Sequence, residues 1–290
     1  MAAEDTPPPG GWPPSWFNDD SFWEIFAPIM FDDAHWAEVP AAADGLIRLA
    51  RLDLYRAEKA PEEGAALSRQ PPRCLDLCCG FGRIGLELAR RGFSLTGVDI
   101  TRPYLAAARE DAAAEGLPAE FIHADVRSFR RPGFFDLAVN LYNSFGYFED
   151  PLEDLALLQN AWKSLKPGGV LVVETLGKEL AARDFTRGEW FRRGGWYVFT
   201  EYEVLDSWGA LKHTWRLVRE DPAAPEVIEK TFVHRLYAAA ELRDLFVRAG
   251  FTRIVIHGGW NEEPYGPEAA ALILAGQRPL PGEDAGAPRP

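Results

Sequence analysis

The stretch Cys74–Asp99, CLDLCCGFGRIGLELARRGFSLTGVD, runs from an apolar segment through a glycine-spaced turn into a helical pattern and then a second apolar segment. Its first part, RCLDLC at 73–78, is bounded by Pro72 and Gly80, as a short buried strand would be. Gly80 and Gly82 lack a Cβ, so the backbone there can turn sharply and approach a ligand closely. GRIGLELARRG (82–92) reads as a helix closed by a glycine, and SLTGVDI as a second strand. Asp99 ends that strand 17 residues past Gly82, where a carboxylate can accept hydrogen bonds from both ribose hydroxyls of an adenosine.

Downstream the alternation continues. PYLAAAREDAAAEG predicts a second helix, AEFIHAD a third strand ending at Asp125, and FDLAVNLY a fourth strand. DPLEDLALLQNAWKSLKPGG predicts a long helix stopped by Pro-Gly-Gly, and VLVVETLG a fifth strand. Five such units with short joins predict a parallel sheet covered by helices on both faces. WYVFTEYEVLDSW, ALKHTWRLVRE and EVIEKTFVHRLY then break the rhythm and read as three antiparallel strands inserted after strand five. The helix AAAELRDLFVRAG and the strands TRIVIHGGW and ALILAGQ resume it.

Upstream, Phe22, Ile25, Phe26, Ile29 and Met30 share one helix face, with Asp19, Asp20 and Ser21 as capping residues and Pro28 expected to kink or shorten the helix. Ala43, Leu46, Ile47, Ala50 and Leu54 mark another helix, and residues 60–72 read as a loop. The expected organisation is a disordered tail at 1–14, an aromatic-rich helical cap at 15–60, an α/β core at 61–195 and 238–278, an antiparallel β insert or lid at 196–237, and a disordered tail at 279–290.

Composition narrows the partners. The chain has 290 residues and a net charge of −13, and no run of Lys or Arg exceeds a pair, which disfavours nucleic acid and anionic membrane as partners. Cys74, Cys78 and Cys79 have neither zinc-ligand spacing nor nearby histidines, so no metal site is expected, and a disulfide framework is excluded. The acidic, proline-rich start is unlike a signal peptide, and no apolar run approaches membrane-span length; a cytoplasmic location is the expectation.

Gly80, Gly82 and Gly85 also satisfy GxGxxG, so a nicotinamide-dependent oxidoreductase is the obvious rival. Three features oppose it. Asp76 ends strand one four residues before the first glycine, where a pyrophosphate is disfavoured but a cationic sulfonium is tolerated. Asp99 and Asp125 at successive strand ends suit one nucleoside lying across strands two and three. The chain also closes with a helix and two strands rather than a second mononucleotide-binding half.

The ordered series D-L-C-C-G-F-G, G-V-D-I, H-A-D-V and F-D-L-A-V-N resembles the motifs of class I (Rossmann-like) S-adenosylmethionine-dependent methyltransferases, over about residues 73–175. One departure is Cys78, which stands where the family usually has glycine. The resemblance implies that Asp76 and the backbone of Cys78, Cys79, Gly80 and Gly82 cradle the methionine part of S-adenosyl-L-methionine. It implies that Asp99 holds the ribose with Ile100 against the adenine, that Asp125 and Val126 meet the adenine edge, and that Asn140 lies under the methionine end. S-adenosyl-L-homocysteine would be the product.

The segment NLYNSFGYF (140–148) is similar to the N-S-F stretch of glycine and sarcosine N-methyltransferases and of antibiotic and amino-sugar N-methyltransferases, and the insert resembles that group's lid. The [ND]-P-P-[YF] signature of DNA-adenine and glutamine methylases is absent. This points to a small-molecule amine acceptor, with a small-molecule O- or C-methyltransferase as the alternative and a non-catalytic partner retaining the cofactor fold as a further one. Tyr142 and Asn143 are candidates to hydrogen-bond the acceptor, and Phe145 to wall its pocket. Trp23 and Trp36 would cap the site, where aromatic faces favour a sulfonium. Arg235 either pairs with an acidic surface or holds a carboxylate-bearing acceptor, and Tyr237 is equally ambiguous. A hydroxyl acceptor would need a base, for which His35, His123, His234 and His257 are candidates, whereas His213 alternates with strand residues and has no claim.

Overall fold

The structure, a computed structural model, describes residues 12–13, 15–50, 70–221, 223 and 226–283. Leu54, most of the expected loop at 60–72 and most of both terminal tails therefore lie outside the described residues.

The chain opens with three helices: α1 (Asp20–Met30), α2 (Asp33–Ala37) and α3 (Val39–Leu49). The Asp19 carboxylate caps α1 by accepting the Ser21 backbone N–H at 3.0 Å. Pro28 lies inside α1, which ends two residues later at Met30. Phe22, Phe26 and Ile29 are buried on the predicted face.

The core follows as β1 (Arg73–Leu77), α4 (Arg83–Arg90), β2 (Ser94–Asp99), α5 (Arg102–Glu115), β3 (Ala119–His123), β4 (Phe135–Asn140), α6 (Pro151–Ser164) and β5 (Leu165–Thr175). The chain continues through α7 (Lys178–Arg183), β6 (Gly188–Arg193), β7 (Trp196–Leu205), β8 (Ala210–Arg219) and β9 (Val227–Arg235), then closes with α8 (Ala239–Ala249), β10 (Thr252–His257) and β11 (Leu272–Gln277).

Seven strands form one sheet in the order β10-β11-β5-β4-β1-β2-β3. All neighbouring pairs are parallel except those of β11, which runs antiparallel to both β5 and β10. Strands β1, β4, β5 and β11 are buried almost throughout, which is why they read as apolar runs without alternation. Strand order reverses at β1, which pairs with β2 on one side and β4 on the other. This is the expected α/β architecture, a sheet flanked by helices with an N-terminal helical segment and an antiparallel insert after β5, except that β11 makes the expected parallel sheet a mixed one.

Three boundaries differ from expectation. The insert has four strands, β6-β7-β8-β9, because GEWFRR pairs with β7 from Gly188↔Glu201 to Arg193↔Trp196, so it begins within what was assigned to the core. Strand β5 starts at Leu165, since Leu165 is already paired with Phe135 before the Pro-Gly-Gly turn that was read as its preceding stop. Trp12, assigned to a disordered tail, is buried with Ala210 and Val233 and lies 5.2 Å from the Arg235 guanidinium.

Candidate functional site

A cavity of about 420 Å³ opens at the carboxyl ends of the strands, beside the reversal at β1, the place where an open parallel sheet leaves a crevice. Its floor is laid by the β1–α4 turn. Cys78, Gly80 and Gly82 all take left-handed backbone angles, with φ of 58°, 53° and 72°. Cys78 thus makes the turn that glycine makes more easily, at a steric cost of roughly 1–2 kcal/mol. A Cβ on Gly80 would meet only the Phe31 and Tyr104 rings, each at 3.8 Å, so the loop leaves room above its backbone.

Asp99 is tied to that turn. Its Oδ2 accepts the Gly80 N–H at 2.7 Å and its Oδ1 accepts the Thr101 N–H at 2.8 Å. Burial pushes the carboxyl up, and those amides pull it back. The Thr101 hydroxyl and the Ile100 amide also hold it, so the carboxylate is fixed both from the turn and from the end of β2. Asp76, at the end of β1, is 5% exposed and is pushed up to about 7 by burial and by the neighbouring Asp99 charge, against the Gly85 amide and Arg83. Ile100 and Val126 add apolar wall beside Asp99. Asp125 also lines the cavity; burial raises its carboxyl, but the Arg127 side chain, bonded at 2.5 to 3.0 Å, outweighs this and holds it low.

These residues fit an adenosine-bearing sulfonium cofactor. There is a glycine turn with space above it, a carboxylate lining the cavity at the ribose position, apolar flanks for a base, and a second acid with aromatic rings where a cation would lie. Two expected cofactor residues act from behind. Asn140 is fully buried and donates to the Leu77 carbonyl at 3.0 Å, tying β4 to β1 beneath the turn. Gly82 sits at the start of α4, donates to the Cys79 carbonyl at 2.8 Å, and packs on Phe121.

The roof comes from two sources. The N-terminal segment contributes Phe17, Trp23, Phe31 and His35; the inner face of the insert contributes Phe191, His213, Trp215, Phe232 and His234. Trp23 is held by an Nε1–H bond to the Phe17 carbonyl at 2.8 Å. His35 Nδ1 meets Asp32 Oδ1 at 2.5 Å.

The side wall is the β4–α6 loop. Tyr142 and Asn143 both have left-handed φ, 55° and 60°, and both line the cavity. The Tyr142 N–H donates to Glu174 Oε2 at 2.5 Å. Burial pushes Glu174 up to about 7, with the Tyr142 and Asn143 amides opposing. The Arg83 guanidinium lies 4.3 Å from the Tyr142 ring and 4.8 Å from Phe31, and donates to the His35 carbonyl at 3.1 Å.

Four expected substrate residues are elsewhere. Phe145 is fully buried against the Tyr237 ring, 5.5 Å away, because Gly146 turns the chain into the core there. The Tyr237 hydroxyl donates to buried Asp154 Oδ2 at 2.7 Å. Arg235 donates to the Glu149 carbonyl at 2.5 Å and stands 3.7 Å from Asp154, so its acid is a buried one and it faces no acceptor space. Trp36 is 36% exposed, on the outer side of Arg83 and off the cavity wall. Of the histidines, His35 and His234 reach the cavity, while His123 bonds the Ile100 carbonyl at 2.9 Å and His257 sits on edge strand β10.

His213, for which its place in a strand predicts no role, does reach the cavity. Alternation along β8 puts it on the inner face, stacked on Phe232 at 4.5 Å and lining the cavity. Glu174 and Arg83 were also passed over. Glu174 had a visible signal, a carboxylate near the end of a core strand like Asp76 and Asp99. Arg83 had none beyond following the glycine turn.

Comparison with known proteins follows this geometry. Residues 74–169 match the family model described as a methyltransferase domain. Over 160 residues the chain is 33% identical to the ubiquinone biosynthesis O-methyltransferase of Caulobacter vibrioides, covering 54% of this chain and 57% of that protein. The chain spans about half the length of the curated relatives it matches. The fold is that of a crystallised S-adenosylmethionine-dependent methyltransferase from Clostridium acetobutylicum, with TM-score 0.68, 15% identity, and 90% of this chain and 98% of that one covered. It is also similar to the sugar N-methyltransferase KedS8 from a Streptoalloteichus species, with TM-score 0.61, 18% identity, and coverage of 82% and 87%.

Proposed function

We infer that the protein, whose core carries a methyltransferase domain in the class I fold, transfers a methyl group from S-adenosylmethionine to an amine nitrogen of a small molecule. The observation that carries this reading is the convergence of the Gly80 turn, Asp99 and Asp76 on one cavity that continues beneath an aromatic roof. The bound cofactor would supply an electrophilic methyl group on a cationic sulfur.

The chain's own residues supply the rest. Asp99 and Thr101 orient the nucleoside end, Asp76 and the aromatic wall favour a cation, and the roof excludes water. Displacement at a methyl by a neutral amine needs alignment more than acid–base help, so positioning provides most of the acceleration. Burial lowers both histidines of the insert, His213 and His234, as bases, His213 to about 3, which suits an acceptor that needs no strong base. The fold likeness to a sugar N-methyltransferase agrees with this choice.

A hydroxyl acceptor is the second reading, and one contact favours it. His35 lines the cavity with its Nδ1 on Asp32, the arrangement that leaves Nε2 free to take a proton. The named O-methylating relative points the same way. Titration calorimetry against S-adenosylhomocysteine and NAD, followed by a panel of amines, phenols and activated-carbon acceptors, tests both. Binding of NAD alone would overturn methyl transfer; turnover confined to phenols, abolished in His35→Gln, would replace the amine reading with the hydroxyl one.

A further inference from the structure

The inner face of β8 and β9 carries polar atoms that the fold itself does not use. His213 and Trp215 line the cavity, and just beneath its surface both ring nitrogens of His213 and the Nε1 of Trp215 are buried with no hydrogen-bond partner among the described residues. An unsatisfied buried donor or acceptor is costly, so three on one wall need an explanation outside the folded chain. Packing accounts for the rings but not for the nitrogens. His213 stacks flat on Phe232, and Phe26 and Phe191 meet Trp215 edge-on at 5.3 and 6.2 Å. Phenylalanine or leucine would fill these places without leaving polar atoms bare.

We propose that His213 and Trp215 form the acceptor-recognition subsite, and that it takes a neutral ring compound bearing hydroxyl or carbonyl oxygens while rejecting carboxylate-bearing analogues. This rests on the methyl-transfer reading of the same cavity. The indole N–H donates only, so it needs an oxygen or ring-nitrogen acceptor on the ligand. A neutral imidazole offers one donor and one acceptor, the complement of a hydroxyl. The neighbouring rings Phe191, Phe232 and Trp23 suit the flat faces of a ring compound.

Charge sets the exclusion. The insert's face of the roof offers an anion no ready cation: His213 is held uncharged by burial and by neighbouring His234, and Arg83 on the side wall is taken up by the Tyr142 and Phe31 rings and the His35 carbonyl. Arg193 is paired with Asp32 at 3.0 Å, and the floor and side wall of the same cavity carry Asp76, Asp99 and Glu174. A carboxylate would lose its water and gain repulsion, whereas a neutral oxygen would satisfy the bare donors. Sites built on buried hydrogen bonds reject analogues that leave them unpaired far more strongly than apolar pockets reject a methylene.

The test is a matched pair of fragments. Protein saturated with S-adenosylhomocysteine is titrated with 4-hydroxybenzamide or 4-hydroxybenzoate while the indole N–H resonances are followed by NMR, that of Trp215 being assigned by its loss in Trp215→Phe. The expected result is a saturable shift of the Trp215 resonance with the amide and none with the carboxylate, the amide response being lost in His213→Phe, which keeps the stack on Phe232. An equal or larger response of the indole resonances to 4-hydroxybenzoate, or no indole response to either fragment, overturns the proposal, and that comparison needs only the unsubstituted protein. Calorimetry with S-adenosylhomocysteine on the same sample reports separately on methyl transfer: a failure there, with the Trp215 response intact, would sink the donor reading and leave the subsite standing.

Discussion

Gly80 and Asp99, nineteen residues apart in the chain, are joined by one hydrogen bond of 2.7 Å from the glycine amide to the carboxylate. The bond makes the loop that would approach the cofactor and the acid that would hold its ribose a single unit. Asp99→Asn keeps the shape but loses the charge at both amide contacts. Hydrogen bonds to charged groups are worth about 1.5–3 kcal/mol, which predicts roughly a 10- to 100-fold weaker affinity for S-adenosylhomocysteine by calorimetry. Unchanged affinity would remove Asp99 from the cofactor site.

Tyr237 donates its hydroxyl to Asp154, a carboxylate with no solvent exposure, and lies outside the cavity. Tyr237→Phe should therefore lower stability by about 1–3 kcal/mol, the cost of a buried group left unpaired. Denaturant midpoints will register that loss. Acceptor KM should stay where it was; a raised KM with unchanged stability would return Tyr237 to the substrate site.

Stability should also fall as pH rises through neutrality. Asp76, Asp154 and Glu174 are each pushed up to about 7, chiefly by burial, from ordinary values of 3.8, 3.8 and 4.5. Between those limits the unfolded chain has released protons that the folded chain still holds. The contribution of each group is thus full below about pH 4 and is lost as pH climbs through 7. The slope approaches about 1.4 kcal/mol per pH unit for each group that is fully protonated in one state only. Urea midpoints should be higher at pH 5 than at pH 7.5, by less than the carboxyls alone would give, because His213 and His234, lowered by burial, act in the opposite sense; Asp154→Asn should shrink the difference. An undiminished difference in that variant would show Asp154 to be ionised in the fold.

The sheet and the cofactor side were legible because their signals are local. Unbroken apolar runs gave the buried strands, and Gly80, Asp76 and Asp99 sit at strand ends where only a ligand or the turn itself calls for them. The acceptor side was not legible, because its wall is assembled from three distant places. Phe145 and Arg235 looked like site residues by their neighbours in sequence, yet Gly146 and the β9 terminus turn them into the core around Asp154. His213 looked like filler because alternation tells which residues share a face but not what that face covers. Only the docking of the insert over the crevice makes its inner face a roof.

Glu174 shows the same limit and supplies the last test. Its carboxylate takes the Tyr142 amide at 2.5 Å and is also held by the Asn143 amide, so it pins two left-handed residues that would otherwise relax. Each non-glycine residue held in that region costs on the order of 1–3 kcal/mol, which the buried acceptor offsets. Glu174 is thus a positioning residue for the wall on which Tyr142 and Asn143 would meet the acceptor. Glu174→Ala should raise acceptor KM about 10-fold or more, as one lost charged acceptor of about 1.5–3 kcal/mol would. Glu174→Gln keeps a carbonyl oxygen for one amide and should recover part of that loss, with S-adenosylhomocysteine affinity unmoved in both. If instead kcat falls in both variants with the same dependence on pH and KM stays fixed, Glu174 acts on the reacting proton and the positioning role is wrong.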